Sequence, residues 1–198
     1  ALIFAADELQ SNSSVVLAAV AQNGGALKFA AENLRGDYAL VLAAVKLKGR
    51  ALEFSSNELR AEKEIVLAAV KENDWAFAHA SDELRADKDF VLQVVSLKGR
   101  ALEFASNELK ADPEVVLAAA LEYEWAFDHA AIELISNRDF ILAAVKLHGL
   151  ALEYASEDLR SDREIVLAAV KQNAEALVYA SSDLRFDREL RLSAKLGN

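Results

Sequence analysis

The chain has 198 residues, a net charge of −10 from 22 basic and 32 acidic side chains, and no cysteine. A phosphate-binding surface needs a local excess of lysine and arginine, which this balance does not supply, so neither nucleic acid nor an anionic membrane is expected as a partner. The missing cysteine removes disulfide and thiolate chemistry, the 54% hydrophobic content argues against disorder, and no apolar run approaches the roughly 20 residues that cross a bilayer.

Read from the first residue, the chain repeats itself every 25 residues without insertion or deletion. Alanine stands at 1, 26, 51, 76, 101, 126, 151 and 176, and leucine at 9, 34, 59, 84, 109, 134, 159 and 184. A second leucine column runs through 17, 42, 67, 92, 117, 142, 167 and 192. Register held over eight copies is the signature of a repeat array.

Each copy predicts two short helices. The first is typified by Ile165-Val166-Leu167-Ala168-Ala169-Val170, preceded by Asp162-Arg163-Glu164. Asp162 suits an N-cap, because its carboxylate accepts from free first-turn amides, and Glu164 suits the positive helix end. The matching cap positions hold Asn12, Asp37, Glu62, Asp87, Asp112, Asn137 and Asp187. Pro113, the only proline, follows Asp112 at the first helical position, where its missing N–H costs nothing. These helices are expected to end near Gly24, Gly49, Gly99 and Gly149, with glycine in the left-handed conformation.

The second helix is typified by Ala51–Leu59, whose residues 51, 52, 55 and 59 form one apolar stripe. At two to three turns neither helix is stable alone, so burial must come from stacking on neighbours. The expected fold is all-α: a single continuous α-solenoid over residues 1–198, made of eight 25-residue two-helix repeats. In the last copy Arg191 and Lys195 replace the apolar pattern of Val166 and Val170, which marks residues 187–196 as a capping helix. The first copy shows no such conversion, which points to a truncated or covered end. The start at Ala1, in mid-repeat and without methionine, fits a processed product or a segment of something longer.

Alternate copies match better than adjacent ones, giving a second period of about 50 residues. One class of turn is basic, as in Lys46-Leu47-Lys48-Gly49-Arg50, Ser96-Leu97-Lys98-Gly99-Arg100 and Lys146-Leu147-His148-Gly149-Leu150. The other is acidic, as in Lys71-Glu72-Asn73-Asp74-Trp75 and Leu121-Glu122-Tyr123-Glu124-Trp125. An acidic cap, Val-Leu-Ala-Ala-Val-Lys, a glycine turn and Ala-Leu-Glu-Tyr-Ala-Ser followed by Leu-Arg, clearest around residues 145–170, resembles the repeats of domain of unknown function 4116. The resemblance covers essentially the whole chain. It implies a helical repeat with no catalytic motif and no settled activity, of a kind found in unicellular eukaryotes, algae included, and in effector-like proteins of intracellular bacteria.

Few residues invite a chemical reading. His79 and His129 share one column, each within Trp-Ala-Phe-x-His-Ala. Two repeats apart, they are too distant for one zinc ion, whose ligands lie about 2 Å from the metal. Packing explains them better: Phe77 and His79 stand where Leu52 and Phe54 stand elsewhere, so the large ring moves and its neighbour shrinks. His148, in a turn, is expected to be solvated. Glu53, Glu103 and Glu153 recur identically, unlike an acid–base pair that needs two different environments. No catalytic residue, metal site or cofactor is predicted.

The candidate interface is therefore Trp75 and Trp125 with Lys48, Arg50, Lys98 and Arg100. Tryptophan is enriched at interface hot spots, although each indole could equally cover the neighbouring turn. The basic turns could form a ridge, but alternation with Glu72, Asp74, Glu122 and Glu124 favours weak ion pairs between repeats. The expected function is a non-enzymatic scaffold for protein partners. The alternatives are a structural subunit of a large assembly, such as an algal photosynthetic or cytoskeletal complex, a host-protein-binding effector module, or a groove for a small apolar ligand or pigment.

Overall fold

A computed structural model describes residues 2–196, Leu196 by its backbone alone. Ala1, the first member of the alanine column, lies outside the described residues. Among the described residues there are helices, turns and bends but no strand. The chain forms two compact units, one through Ser106 and one from Asn107.

In both units the module begins with a ten-residue α-helix. The first unit contains Ser13–Gln22, Tyr38–Leu47, Lys63–Glu72 and Lys88–Leu97. The second contains Pro113–Glu122, Arg138–Leu147 and Arg163–Gln172, then the nine-residue Arg188–Leu196. The cap residues act as their chemistry dictates. Asp162 accepts from the N–H groups of Glu164 and Ile165, and Asp37, Asp87, Asn137 and Asp187 each accept from the amide three residues on. Glu62, one methylene longer, makes no such bond. Pro113 occupies the first turn behind Asp112.

Each long helix buries one face completely. Ile65, Val66, Ala69 and Val70 are at or near zero exposure, as are Ile165, Val166, Ala169 and Val170. Leu67 and Ala68, on the other side, are half-buried. In the last helix Leu190 is fully buried while Arg191 and Lys195 are exposed.

The chain leaves each long helix differently from the expectation. No described glycine has a positive φ. The connecting residue (Asn23, Lys48, Asn73 and their equivalents) is instead extended, with φ near −148° at Lys48 and −147° at Asn73. Glycine is needed for close approach. A Cβ on Gly149 would lie 2.6 Å from the Ala169 carbonyl oxygen and 2.8 Å from Gln172 Oε1 in the next repeat. Its N–H donates to that same Gln172 oxygen at 2.5 Å, and the Gly49 N–H donates to Glu72 in the matching place.

The second helix is divided. Gly49–Phe54 is a 3-10 helix, Ser55 is extended at φ −74° and ψ 166°, and Asn57–Arg60 is a single α-turn. The expected stripe of Ala51, Leu52, Ser55 and Leu59 is buried nonetheless. A tertiary hydrogen bond breaks the helix. The Ser56 N–H, which a continuous helix would use internally, donates to the carbonyl of Arg35 in the preceding repeat at 2.9 Å. The same bond recurs from Ala31 to Gln10, Ser81 to Arg60 and Ser106 to Arg85 in the first unit. In the second it joins Ala131 to Lys110, Ser156 to Ile135 and Ser181 to Arg160. One backbone bond thus ties each module to the last. Arginines of the same column add to it: Arg60 Nε donates to the His79 carbonyl at 2.7 Å.

A second ladder joins the starts of the long helices. Tyr38 donates to Glu64 at 2.6 Å and Lys63 to Asp87 at 2.6 Å. Arg138 donates to Asp162 at 2.9 Å and Glu164 at 2.5 Å, and Arg163 pairs with Asp187 and Glu189. A cation in the first turn faces its own helix's positive pole, but the carboxylates of the next cap and first turn outweigh that. Being exposed to water and screened by salt, each pair contributes little on its own.

The expected ion pairs between alternating turns are not among the described salt bridges; other residues, at the starts of the long helices, make the pairs between repeats. Arg50 Nε turns to Glu53 at 3.2 Å and Arg100 Nε to Glu103 at 3.9 Å, inside their own 3-10 helices. With three residues per turn, a 3-10 helix eclipses side chains three apart, so the nearest acid is local.

Candidate functional site

The 3-10 helices of each unit lie side by side, and their second residues form a column whose chemistry changes from repeat to repeat. It runs Gly25, Arg50, Trp75, Arg100 in the first unit and Trp125, Leu150, Glu175 in the second. Behind it, Ala76, Phe77, Ala126 and Phe127 anchor the helices in the core. Phe77 meets Phe90 at a ring separation of 6.3 Å, and Phe127 meets Phe140 at the same distance.

Trp75 is 47% exposed, and the next repeat supplies two contacts to its ring. Its indole lies 5.4 Å from the Phe104 ring, and the Arg100 guanidinium sits 4.8 Å above it. This is the cation–π geometry, with the arginine also held towards Glu103. Trp75 therefore covers the neighbouring turn while keeping half its surface open. Arg50 is exposed and paired with Glu53, and Lys48 and Lys98 are the half-buried links into their 3-10 helices.

Trp125 has different neighbours. Leu150 stands where Arg100 stands for Trp75, and Tyr154 where Phe104 stands. The indole, 53% exposed, forms one wall of a pocket of about 90 Å³ completed by Phe127, His148, Leu150, Tyr154 and Tyr179, with Glu124 and Glu153 at its rim. Tyr154 packs on Phe127 at 5.7 Å between ring centres. The Asp128 carboxylate faces the Tyr154 hydroxyl and the Glu153 carboxylate faces that of Tyr179, each from one repeat back. Burial and the surrounding carboxylates of Asp128, Glu153 and Glu124 push Tyr154 far above the usual phenol range. The pocket is aromatic in its walls and negative in its field.

His148 is not solvated, as its place in a turn suggested. It is half-buried, its Nε2 lies 2.7 Å from the Ala120 carbonyl oxygen, and its ring meets the edge of Phe127 at 6.3 Å. The extended link residue before the 3-10 helix points this side chain back across the preceding repeat. His79 occupies the half-buried place held by Phe54 and Phe104, with Nε2 4.0 Å from Glu53. Burial lowers its pKa, partly opposed by Glu53. His79 belongs to the first unit and His129 to the second. Among the described residues no group of three or more His, Asp or Glu is placed to hold a metal ion.

Sequence reasoning missed Leu150, Tyr154, Tyr179 and His148 as wall residues. The readable signal was their departure from the repeat: leucine in an arginine position, and tyrosine in a column of phenylalanine and histidine.

Short helical segments that bury their faces on one another and on adjoining copies define an all-α repeat protein of the solenoid class. Residues 37–85, 87–135 and 137–194 match the model of the family described as domain of unknown function (DUF4116), and the chain belongs to that family. The matched segments begin at the cap residues Asp37 and Asp87 and at Asn137, so the family's unit is the longer of the two periods. Comparison with curated proteins and with solved structures returned no match. Among the described residues no helix is long and apolar enough to cross a membrane.

Proposed function

We propose that this chain is a non-enzymatic scaffold that holds other proteins, with Trp125 as its main anchor. The observation that carries the reading is the half-exposed indole beside a pocket the size of one side-chain end. Large aromatic side chains set in partly desolvated pockets dominate binding energy at protein interfaces. At about 90 Å³ the pocket falls well below the roughly 300–1,000 Å³ of small-molecule sites, which favours a protein partner over a cofactor or pigment. Trp75 is the weaker anchor, because Arg100 and Phe104 already occupy part of its surface. Within the first unit, Lys48, Arg50 and Lys98 would contribute to the surface around Trp75. The recurrent acids have structural partners, Glu53 in Arg50 and Glu153 in Tyr179, which supports a role without catalysis.

The test is affinity purification from the native source with the intact chain and with Trp125→Ala as baits, read by quantitative mass spectrometry. A stoichiometric partner retained by the intact chain and depleted at least tenfold by Trp125→Ala is expected. Equal recovery on both baits removes Trp125 as the anchor, and no stoichiometric partner on either removes the scaffold reading.

A further inference from the structure

The two tryptophans stand in equivalent places but have opposite surroundings. In the first unit the repeat supplies a cation for Trp75: Arg100, 4.8 Å above the ring and turned towards Glu103. In the second unit the tryptophan, and the acid that corresponds to Glu103, are both kept as Trp125 and Glu153, but the arginine is replaced by Leu150. Where Arg100 covers one indole, an open pocket adjoins the other.

From this difference, and resting on the scaffold reading, we propose that the pocket beside Trp125 receives the guanidinium of an arginine in a bound protein segment. The occupant would stack on the indole as Arg100 does on Trp75, with its donors directed at Glu153 and Glu124. Three features suit that occupant. A guanidinium is planar, permanently charged and weakly hydrated, so it stacks on aromatic faces and pairs with carboxylates together. About 90 Å³ equals roughly three waters' share of liquid volume, room for one side-chain end. The field is negative: Glu124, Asp128 and Glu153 act on Tyr154, and Glu153 and Glu175 act on Tyr179. No lysine or arginine lines the pocket, and its one histidine faces the Ala120 carbonyl.

The inference is tested on the intact chain by titration with the blocked tripeptide acetyl-Gly-Arg-Gly-amide and with its citrulline counterpart, a neutral near-isostere. The readouts are the two tryptophan indole N–H resonances, assigned with Trp75→Phe and Trp125→Phe. The arginine peptide is expected to shift the Trp125 signal saturably, with the Trp75 signal still, and to bind at least tenfold more tightly than the citrulline peptide. Leu150→Arg, which supplies the internal cation as Arg100 does, should abolish that binding, and Glu153→Gln should weaken it severalfold. Equal binding of the citrulline peptide, equal shifts at both tryptophans, undiminished binding to Leu150→Arg, or no saturable shift would each overturn the inference. The peptide comparison uses the unmodified chain and so does not depend on any variant folding. A partner that copurifies equally with the intact chain and with Leu150→Arg would sink the pocket inference alone, leaving the scaffold reading in place.

Discussion

Two glycines show how position decides what one residue type contributes. Gly149 lies against the next repeat, where an added Cβ would meet the Ala169 carbonyl, Gln172 and Asn173. That carbonyl belongs to a helix and cannot move alone, so Gly149→Ala is expected to cost about 1–3 kcal/mol through overpacking. Gly36 has the same freedom on paper but an open surrounding, with the nearest atoms 3.9 Å from an added Cβ and a right-handed φ of −99°. Gly36→Ala should therefore be neutral or stabilise by about 0.4–1 kcal/mol, because alanine restricts the unfolded chain. Urea unfolding of the two variants checks both signs. His79 gives a pH prediction. Burial lowers its folded pKa, so protonation favours the unfolded chain. The stability it contributes is complete above its unperturbed pKa of 6.5 and is lost as pH falls through and below that value. His79→Phe, which restores the ring found at Phe54 and Phe104, should flatten the difference in stability between pH 7.5 and pH 5.5. An unchanged slope would show that the imidazole does not titrate in this way.

At the scale of the element, the long helices were legible because local chemistry sets them: a short acidic or amide side chain, an apolar face, and proline only where it is harmless. Glu62 is the exception that tests the rule, since its longer side chain leaves the first-turn amides uncapped. Glu62→Asp is expected to stabilise by about 0.5–1 kcal/mol, measured by thermal or urea unfolding; a loss would mean that the cap position is set by other contacts. The 3-10 helix and the α-turn behind it were not legible. Ala51, Leu52, Ser55 and Leu59 make one buried stripe whether the helix is continuous or broken. The break depends on the Arg35 carbonyl capturing the Ser56 amide, a partner 21 residues away that no local pattern announces.

At the scale of the whole molecule, stability is collective. Within each unit, a module buries its faces on the next and is joined to it by a backbone hydrogen bond, with exposed ion pairs at the long-helix starts in some repeats. A peptide of residues 63–87 keeps every local signal but loses both neighbours, so circular dichroism should show it largely unfolded at 25 °C. A stable, helical monomeric peptide would mean that the modules do not depend on stacking. The candidate site is likewise a property of several modules. Trp125, Leu150 and Tyr179 come from three successive repeats, and register alone brings them together.

The sequence by itself determined the helical repeat, its length, its caps and its buried columns, because these follow from side-chain chemistry within one module and recur with it. Tertiary structure decided where the second helix breaks, why the glycines are needed, and where the ion pairs form. It also decided that one tryptophan carries an arginine on its face while the other borders a pocket. Each of those outcomes depends on atoms of adjoining copies meeting at a few ångströms, a distance that a 25-residue period does not encode.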